Sequence, residues 1–304
     1  ADAIAQARGI LSRIAKGDDY YGLLARDTLG QKISIADKRL KPSKADLKRV
    51  GMDPNIRAAL SAFQLNLEGE ASRQWTYAVA LHQPGGMDER DLLAAAEIAC
   101  QVGWWNRCIH AGTRMQTTPS FMHSYPQPFE TDILAQAKEV AIHPAFFYGL
   151  IRQESRFIMD AKSVVGAAGL MQVMPATAKW TAKKIGMTNF QAHQITDQEI
   201  NVAIGTGYLK LVLDDFDGSL PLAAAAYNAG PSRSRNWRKG PVLEAAIWAE
   251  NIPFNETRDY VKKVLSNTTN YAAIITGQPQ SLKARLGTVG PRNSQAPAEN
   301  TDLP

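Results

Sequence analysis

Glu154 is the residue whose type and position first point to chemistry in this sequence. Counting back three, four and seven positions from it gives Ile151, Leu150 and Phe147, the spacing of one apolar helical stripe. A carboxyl at the end of such a stripe has two possible settings. Drawn into the apolar side, its ionised form is disfavoured and its pKa rises, which suits a general acid near neutral pH. Swung outward at a helix end, it is an ordinary solvated Glu, and spacing alone leaves both readings open.

Three further motifs follow in order. Gly166 to Gly169, then Gln172, Met174 and Pro175, read as a tight loop before a helix, with glycines permitting conformations and close approaches that side chains block. Such a loop suits the wall of a groove for a bulky polymer, or it is an ordinary turn. Gln172 offers an amide donor and acceptor and Met174 an adaptable apolar contact, although either residue also serves as core filling. Ala226, Tyr227, Asn228, Gly230 and Pro231 read as a helix terminus. Glu256, Arg258 and Tyr260 open a later helix, where Glu256 suits the helix start and pairs with a nearby cation as readily as it serves a site.

The elements that must position these residues are helices. Before residue 125, apolar spacing predicts successive amphipathic helices, among them Ile56 to Leu67, Gln74 to Leu81, Asp91 to Val102 and Trp104 to Arg114. Small residues at Ala94, Ala95, Ala96 and Ala99 favour close pairing, and no clean repeat period emerges. The Pro-rich run from Tyr125 to Phe129 breaks the pattern. Beyond it, helices are expected at 131–140, 144–154, 175–185, 197–216, 220–227, 242–249 and 255–271. The expected fold class is all-α: an irregular helical-hairpin array over 1–125, a second helical domain over 130–277, and a mobile tail over 278–304.

Composition narrows the function classes. The 304 residues carry 45% hydrophobic and 21% charged side chains, an ordinary globular balance with room for two cores. No run of about 18 apolar residues spans a membrane, and the first residues lack a secretory pattern. The opening residue is not Met, as expected of numbering that starts after processing or truncation. A net charge of +5 favours contact with polyanions, yet no basic block with interleaved aromatics supports nucleic acid. His82, His110, His123, His143 and His193 are scattered without ligand spacing, so no metal is expected. Cys100 and Cys108 flank a break at Gly103. Buried free thiols are the commoner outcome for such a pair, while a bridge would agree with an oxidising compartment.

Taken together, the four motifs resemble the soluble lytic transglycosylases, the lysozyme-like enzymes of glycoside hydrolase family 23. The resemblance covers about residues 130 to 275 and implies a lysozyme-like catalytic domain there, with the preceding array similar to the end of that family's superhelical domain. It implies Glu154 as catalytic acid and base, with Ser155, Gln172, Met174, Tyr227, Asn228, Glu256 and Tyr260 as substrate-binding residues. Tyr227 is expected to direct its hydroxyl toward the acid or the substrate acetamido group, and Ser155 to hydrogen-bond near the cleavage site. Two departures stand out: Ile158, Met159 and Asp160 occupy positions where members commonly carry an Asn-Pro turn, and the N-terminal array is shorter than a full superhelix.

The implied reaction is cleavage of the MurNAc–GlcNAc β-1,4 bond of peptidoglycan with formation of 1,6-anhydro-MurNAc ends. Ordinary glycosidases set two carboxylates about 5 to 9.5 Å apart, whereas only Glu154 carries the motif and Asp160 has no nucleophilic setting, so one carboxylate is expected to act twice with help from the substrate acetamido group. The rivals are a goose-type lysozyme hydrolase on the same polymer and a non-catalytic peptidoglycan-binding scaffold. No cofactor is expected. Peptidoglycan glycan strands are the expected partner, with cell-wall proteins as further candidates through the helical array, and the substrate implies the periplasm.

Overall fold

The computed structural model describes residues 2–33, 40–117, 119–293, 295 and 298–304. The chain divides into two compact units, Ile35–Pro128 and a larger one joining Ala1–Ser34 to Phe129–Pro304. Helices dominate, and no described helix is long and apolar enough to cross a membrane. This is the expected all-α architecture, with one antiparallel pair of two-residue strands among the described residues, Leu243–Glu244 against Thr288–Val289.

The smaller unit is built from Lys44–Gly51, Pro54–Gln64, Glu68–Thr76 with a following π turn Tyr77–Leu81, Glu89–Gln101, Trp105–Gly112 and the short Phe121–Ser124. Side chains of Ser43, Asp53 and Asp88 cap three of these helices by accepting backbone N–H groups, and Pro54 supplies a fixed first turn. Ala94, Ala95, Ala96 and Ala99 are wholly buried, so backbones approach closely as the sequence suggested. Against them sit Trp75 and Trp104, with Phe63 stacked on Trp104 at a centroid distance of 4.5 Å. Contrary to the expectation of free thiols, Cys100 and Cys108 form a disulfide. The turn at Gly103 reverses the chain so that the ends of Glu89–Gln101 and Trp105–Gly112 face each other, bringing the two Cα atoms to 5.1 Å.

In the larger unit, the helix Pro144–Glu154 lies against the long helix Asn255–Thr276. Gly149 makes this possible: a Cβ there would stand 2.4 Å from Thr268 Oγ1 and 2.9 Å from the Val264 carbonyl. The long helix buries Thr268 and Thr269, whose hydroxyls donate to carbonyls four residues back and so need no outside partner. Phe146 through Ile151 are all buried, so the acid-bearing helix is enclosed around its circumference rather than along one stripe.

Two regions group differently from the linear division expected at 125–130. Helices Asp2–Ile14 and Tyr20–Thr28 belong to the larger unit, held by Lys262 Nζ donating to the Tyr21 hydroxyl at 2.9 Å and Asn270 Nδ2 donating to the Asp18 carbonyl at 2.9 Å. Described residues of the segment expected to be a mobile tail make contacts with the rest of the unit. Val289 pairs with Leu243, Arg235 donates to the Asn300 carbonyl at 2.8 Å, and the Tyr208 hydroxyl donates to the Pro304 carbonyl at 3.1 Å. Its Gly/Pro/Ser-rich composition forbids long helices but not these individual contacts.

Candidate active site

Four segments of the larger unit converge on Glu154, the last residue of Pro144–Glu154. His143 caps the start of that helix through Nδ1, which accepts from the Ala145 N–H at 3.2 Å, and Pro144 occupies the first turn. At its other end Glu154 is half-buried, neither swung into solvent nor sealed. The Tyr260 hydroxyl donates to Glu154 Oε1 at 2.5 Å. Crowding by surrounding protein pushes the carboxyl up, the bond from Tyr260 pulls it down, and the nearby Glu256 charge pushes it up again, leaving it at about 7. A carboxyl poised there is populated in both protonation states at neutral pH, as an acid that later serves as a base requires.

The chain then turns sharply. Arg156 and Phe157 both take positive φ, 49° and 66°, and the Ser155 hydroxyl stabilises the reversal by accepting from the Phe157 N–H at 3.1 Å while donating to the Leu170 carbonyl at 2.8 Å. Ser155 is buried and ties the loop to the acid-bearing helix. Asp160 stands exposed further along.

The glycine loop is tied down from behind by Asn201, a wholly buried residue that the sequence did not single out. Its amide donates to the carbonyls of Ala168 (3.1 Å) and Ile195 (2.6 Å) and accepts from the Met171 N–H (2.8 Å). A side chain at Gly169 would fall 2.1 Å from Asn201 Nδ2, so this position admits glycine alone, whereas Gly166 is uncrowded and needs only its positive φ of 94°. Gln172 also adopts a positive φ, 47°, held by its own Nε2 donating to the Gly169 and Ala161 carbonyls at 2.8 and 2.9 Å. Met174 is exposed just before Pro175–Lys184.

The third and fourth motifs form the opposite wall. The Tyr227 hydroxyl donates to the Met171 carbonyl at 2.9 Å, so it braces the glycine loop, and Glu154 is close enough to raise its pKa further above a value already lifted by burial. The residue that touches the acid directly is Tyr260. Asn228 bridges two residues of the long helix, accepting from Thr257 Oγ1 at 2.7 Å and donating to Glu256 Oε1 at 3.4 Å. Glu256 is exposed. Thr257 and Asn201 were missed because their roles depend on partners that no local motif names. Among the described residues, no group of three His, Cys, Asp or Glu is arranged to hold a metal ion.

Comparison with known proteins agrees with this geometry. Residues 132–245 match the transglycosylase SLT domain family, and residues 251–280 match the soluble lytic transglycosylase helical domain. The second match falls on the long helix, not on the array at 35–128. The soluble lytic murein transglycosylase of Escherichia coli K12 is 28% identical over 283 residues, which cover 92% of this chain and 43% of that protein. Among solved structures, an inactive Glu-to-Gln mutant of the lytic transglycosylase Slt from Pseudomonas aeruginosa superposes with a TM-score of 0.80 at 32% identity, covering 94% of this chain and 46% of that one. The 70 kDa soluble lytic transglycosylase of Escherichia coli gives a TM-score of 0.76 at 27% identity over 96% of this chain and 46% of its own. The chain is thus similar to soluble lytic transglycosylases across nearly all of its length, and it spans less than half the length of those relatives.

Proposed function

We propose that this chain, similar in sequence and fold to the soluble lytic transglycosylases, cleaves the MurNAc–GlcNAc β-1,4 bond of peptidoglycan and leaves 1,6-anhydro-MurNAc ends. The observation that carries the reading is the Glu154 carboxyl: half-buried, raised to about 7, and held through Oε1 by Tyr260. With that oxygen engaged, the proton of the neutral acid resides on Oε2. Glu154 donates it to the glycosidic oxygen while the substrate's acetamido carbonyl stabilises the positive anomeric carbon. The resulting carboxylate, now favoured by the Tyr260 bond, removes the proton from the C6 hydroxyl of the same sugar, and that oxygen closes onto the anomeric carbon. One carboxylate thereby serves both steps without a cofactor.

Tyr227 and Gln172 shape the acetamido pocket by fixing the 169–172 loop, Met174 offers its exposed apolar chain to a sugar face, and Asn228, Glu256 and Tyr260 line the opposite side. Ser155 acts one step back by joining that loop to the acid. A periplasmic location is supported by the murein enzymes among the relatives and by the Cys100–Cys108 disulfide, which persists in oxidising compartments.

One observation favours a rival. Glu256 is a second carboxylate near enough to raise Glu154, so a goose-type hydrolysis, in which water replaces the C6 hydroxyl as nucleophile, has a candidate base. Mass spectrometry of peptidoglycan digested by the protein separates the two: products ending in 1,6-anhydro-MurNAc are expected, and reducing ends alone would overturn the transglycosylase reading.

A further inference from the structure

One buried stripe of the helix Gln198–Asp215 joins the glycine loop to the C-terminal segment. Asn201, Gly205, Tyr208, Val212 and Asp215 follow the spacing of a single helical face, all are buried, and together they rise about 21 Å along the axis. At the start of the stripe, Asn201 accepts from the Met171 N–H, and a Cβ at Gly205 would stand 2.4 Å from Met171 Sδ, so this loop residue lies directly on the helix. At its centre, the Tyr208 ring lies 5.5 Å from that of Tyr227, whose hydroxyl holds the Met171 carbonyl. At its far end the stripe meets residues 298–304.

Those residues are fastened at several points. Asp215 is 6% exposed, and its two oxygens take different partners: Oδ2 accepts from Arg235 at 2.7 Å and Oδ1 from the Asn300 N–H at 2.6 Å. Arg235 also donates to the Asn300 carbonyl, so a buried ion pair between Gln198–Asp215 and Pro231–Trp237 grips both backbone groups of one residue. Leu303 is 7% exposed, and beside it the Pro304 carbonyl accepts from the Tyr208 hydroxyl at 3.1 Å. Asp302 lies 3.7 Å from Lys184 at the end of Pro175–Lys184, an exposed pair that adds little. Ordering a chain segment costs conformational entropy at every residue, and these buried anchors are what offset that cost.

The helices tied together in this way carry the candidate site at their other ends. Pro175–Lys184 begins directly after Met174, and Pro231–Trp237 begins three residues after Asn228. Between them the loop holds Gln172 at a positive φ of 47°, a conformation that costs energy for any residue but glycine and persists only where neighbouring contacts impose it. The Tyr227 bond to the Met171 carbonyl is one of those contacts. Tyr208 touches neither the acid nor the loop through a hydrogen bond of its own; its place is behind Tyr227, with its ring against that ring and its hydroxyl in the hold of the C-terminal segment.

We propose that Tyr208 is a positioning residue for the cleavage reaction and that residues 298–304 are the strap that holds it: with its hydroxyl fastened to the Pro304 carbonyl, its ring keeps Tyr227 on the Met171 carbonyl and the 169–172 loop in its strained shape. The kinetic half rests on the chain being a peptidoglycan-cleaving enzyme and the structural half does not, so the two are measured separately. Tyr208→Phe, Leu303→Asp and their combination are compared with the unmodified full chain, each shown to be folded by circular dichroism; Leu303→Ala replaces Leu303→Asp should the latter not fold. Hydrogen exchange of the 169–173 amides, read by mass spectrometry, is expected to quicken about tenfold in each single variant and no further in the double one, because both break the same link. On peptidoglycan, kcat is expected to fall about fivefold in all three with KM unchanged, and the limbs of the pH–rate profile stay in place because Tyr260 and Glu256 still set Glu154. Loop exchange equal to that of the unmodified chain, effects of the two substitutions that multiply, or an acceleration spread evenly over all helices would overturn the strap, and faster loop exchange with kcat unchanged would remove the positioning role. Should the unmodified protein leave peptidoglycan intact, the function reading fails and exchange alone decides: a loop-confined, non-multiplying acceleration sustains the strap, and its absence removes it.

Discussion

Of two clusters among the described residues in which a carboxylate is hydrogen-bonded within a group that includes a hydroxyl, the one at Glu154 is built like a reactive site and the one at Glu97 is not. In the larger unit, Tyr260 donates to the half-buried Glu154. In the smaller unit, Ser120 Oγ lies 2.6 Å from His123 Nδ1, and His123 Nε2 lies 2.8 Å from Glu97 Oε2, the residue types of a hydrolytic triad. The ring is turned the other way from a hydrolase, with the carboxylate on Nε2 and the hydroxyl on Nδ1. Ser120 is wholly buried and His123 is 3% exposed, so no substrate reaches the hydroxyl. The carboxylates also move in opposite directions: burial wins at Glu154 and lifts it, whereas at Glu97 burial is outweighed by hydrogen bonds from His123 and Gln101 and the carboxyl falls. Connectivity alone does not make a catalytic site. Access and an unsatisfied preference for the neutral acid do.

The largest effect expected from breaking this contrast is at Glu154. Glu154→Gln should lower turnover of peptidoglycan by about 10³-fold or more, measured by release of soluble muropeptides. It should also stabilise the fold. The folded carboxyl titrates at about 7, above the ordinary value of an unfolded chain, so ionisation favours the unfolded state as pH rises between the two values. The variant should therefore gain up to about 3 kcal/mol at pH 8, and almost none below pH ~4, in urea unfolding. A variant that loses activity with no pH-dependent gain in stability would mean that Glu154 is not held against its preference.

Next in size is Tyr260→Phe, which removes the donor that favours the ionised acid. The alkaline limb of the pH–rate profile should move upward while the maximal rate falls about tenfold, because the neutral acid is retained and the carboxylate base becomes harder to form. A limb that stays in place would assign the poise of Glu154 to burial and Glu256 alone.

Local signals carried much of this picture. Pro144 and the apolar run before Glu154 predicted the acid-bearing helix over 144–154, the same span as observed, because Pro at the first turn and the chain reversal at Arg156 fix both ends locally. Hydrogen bonds join the four motifs to one another. What they did with their hydroxyls was not legible: Tyr260 and Glu154 are 106 residues apart, and Tyr227 braces a carbonyl 56 residues away. Asn201 gave no signal either, since a polar residue in an apolar helix gains meaning only from the loop folded over it. Composition misled at the tail, where turn-forming residues read as mobile although Arg235, Tyr208 and Leu243 receive them, and at Cys100 and Cys108, whose pairing depends on how closely the chain reverses at Gly103.

The smallest effect tests the other half of the contrast. If the Ser120–His123–Glu97 cluster is a clamp that fastens Phe121–Ser124 to Glu89–Gln101, then Ser120→Ala leaves the rate per folded molecule unchanged. Its cost falls on stability instead: His123 Nδ1 loses its partner in a buried place, worth about 1–2 kcal/mol in urea unfolding. The dependence on acid should survive in the variant. Glu97 sits below its ordinary value when folded, so its pairing stabilises the protein above the unfolded carboxyl range and is lost as pH falls through the folded value, and removing the Ser120 hydroxyl touches neither the His123 Nε2 bond nor this sign. A Ser120→Ala protein that unfolds like the unmodified chain yet turns over substrate more slowly would reverse the assignment and place chemistry in the sealed cluster.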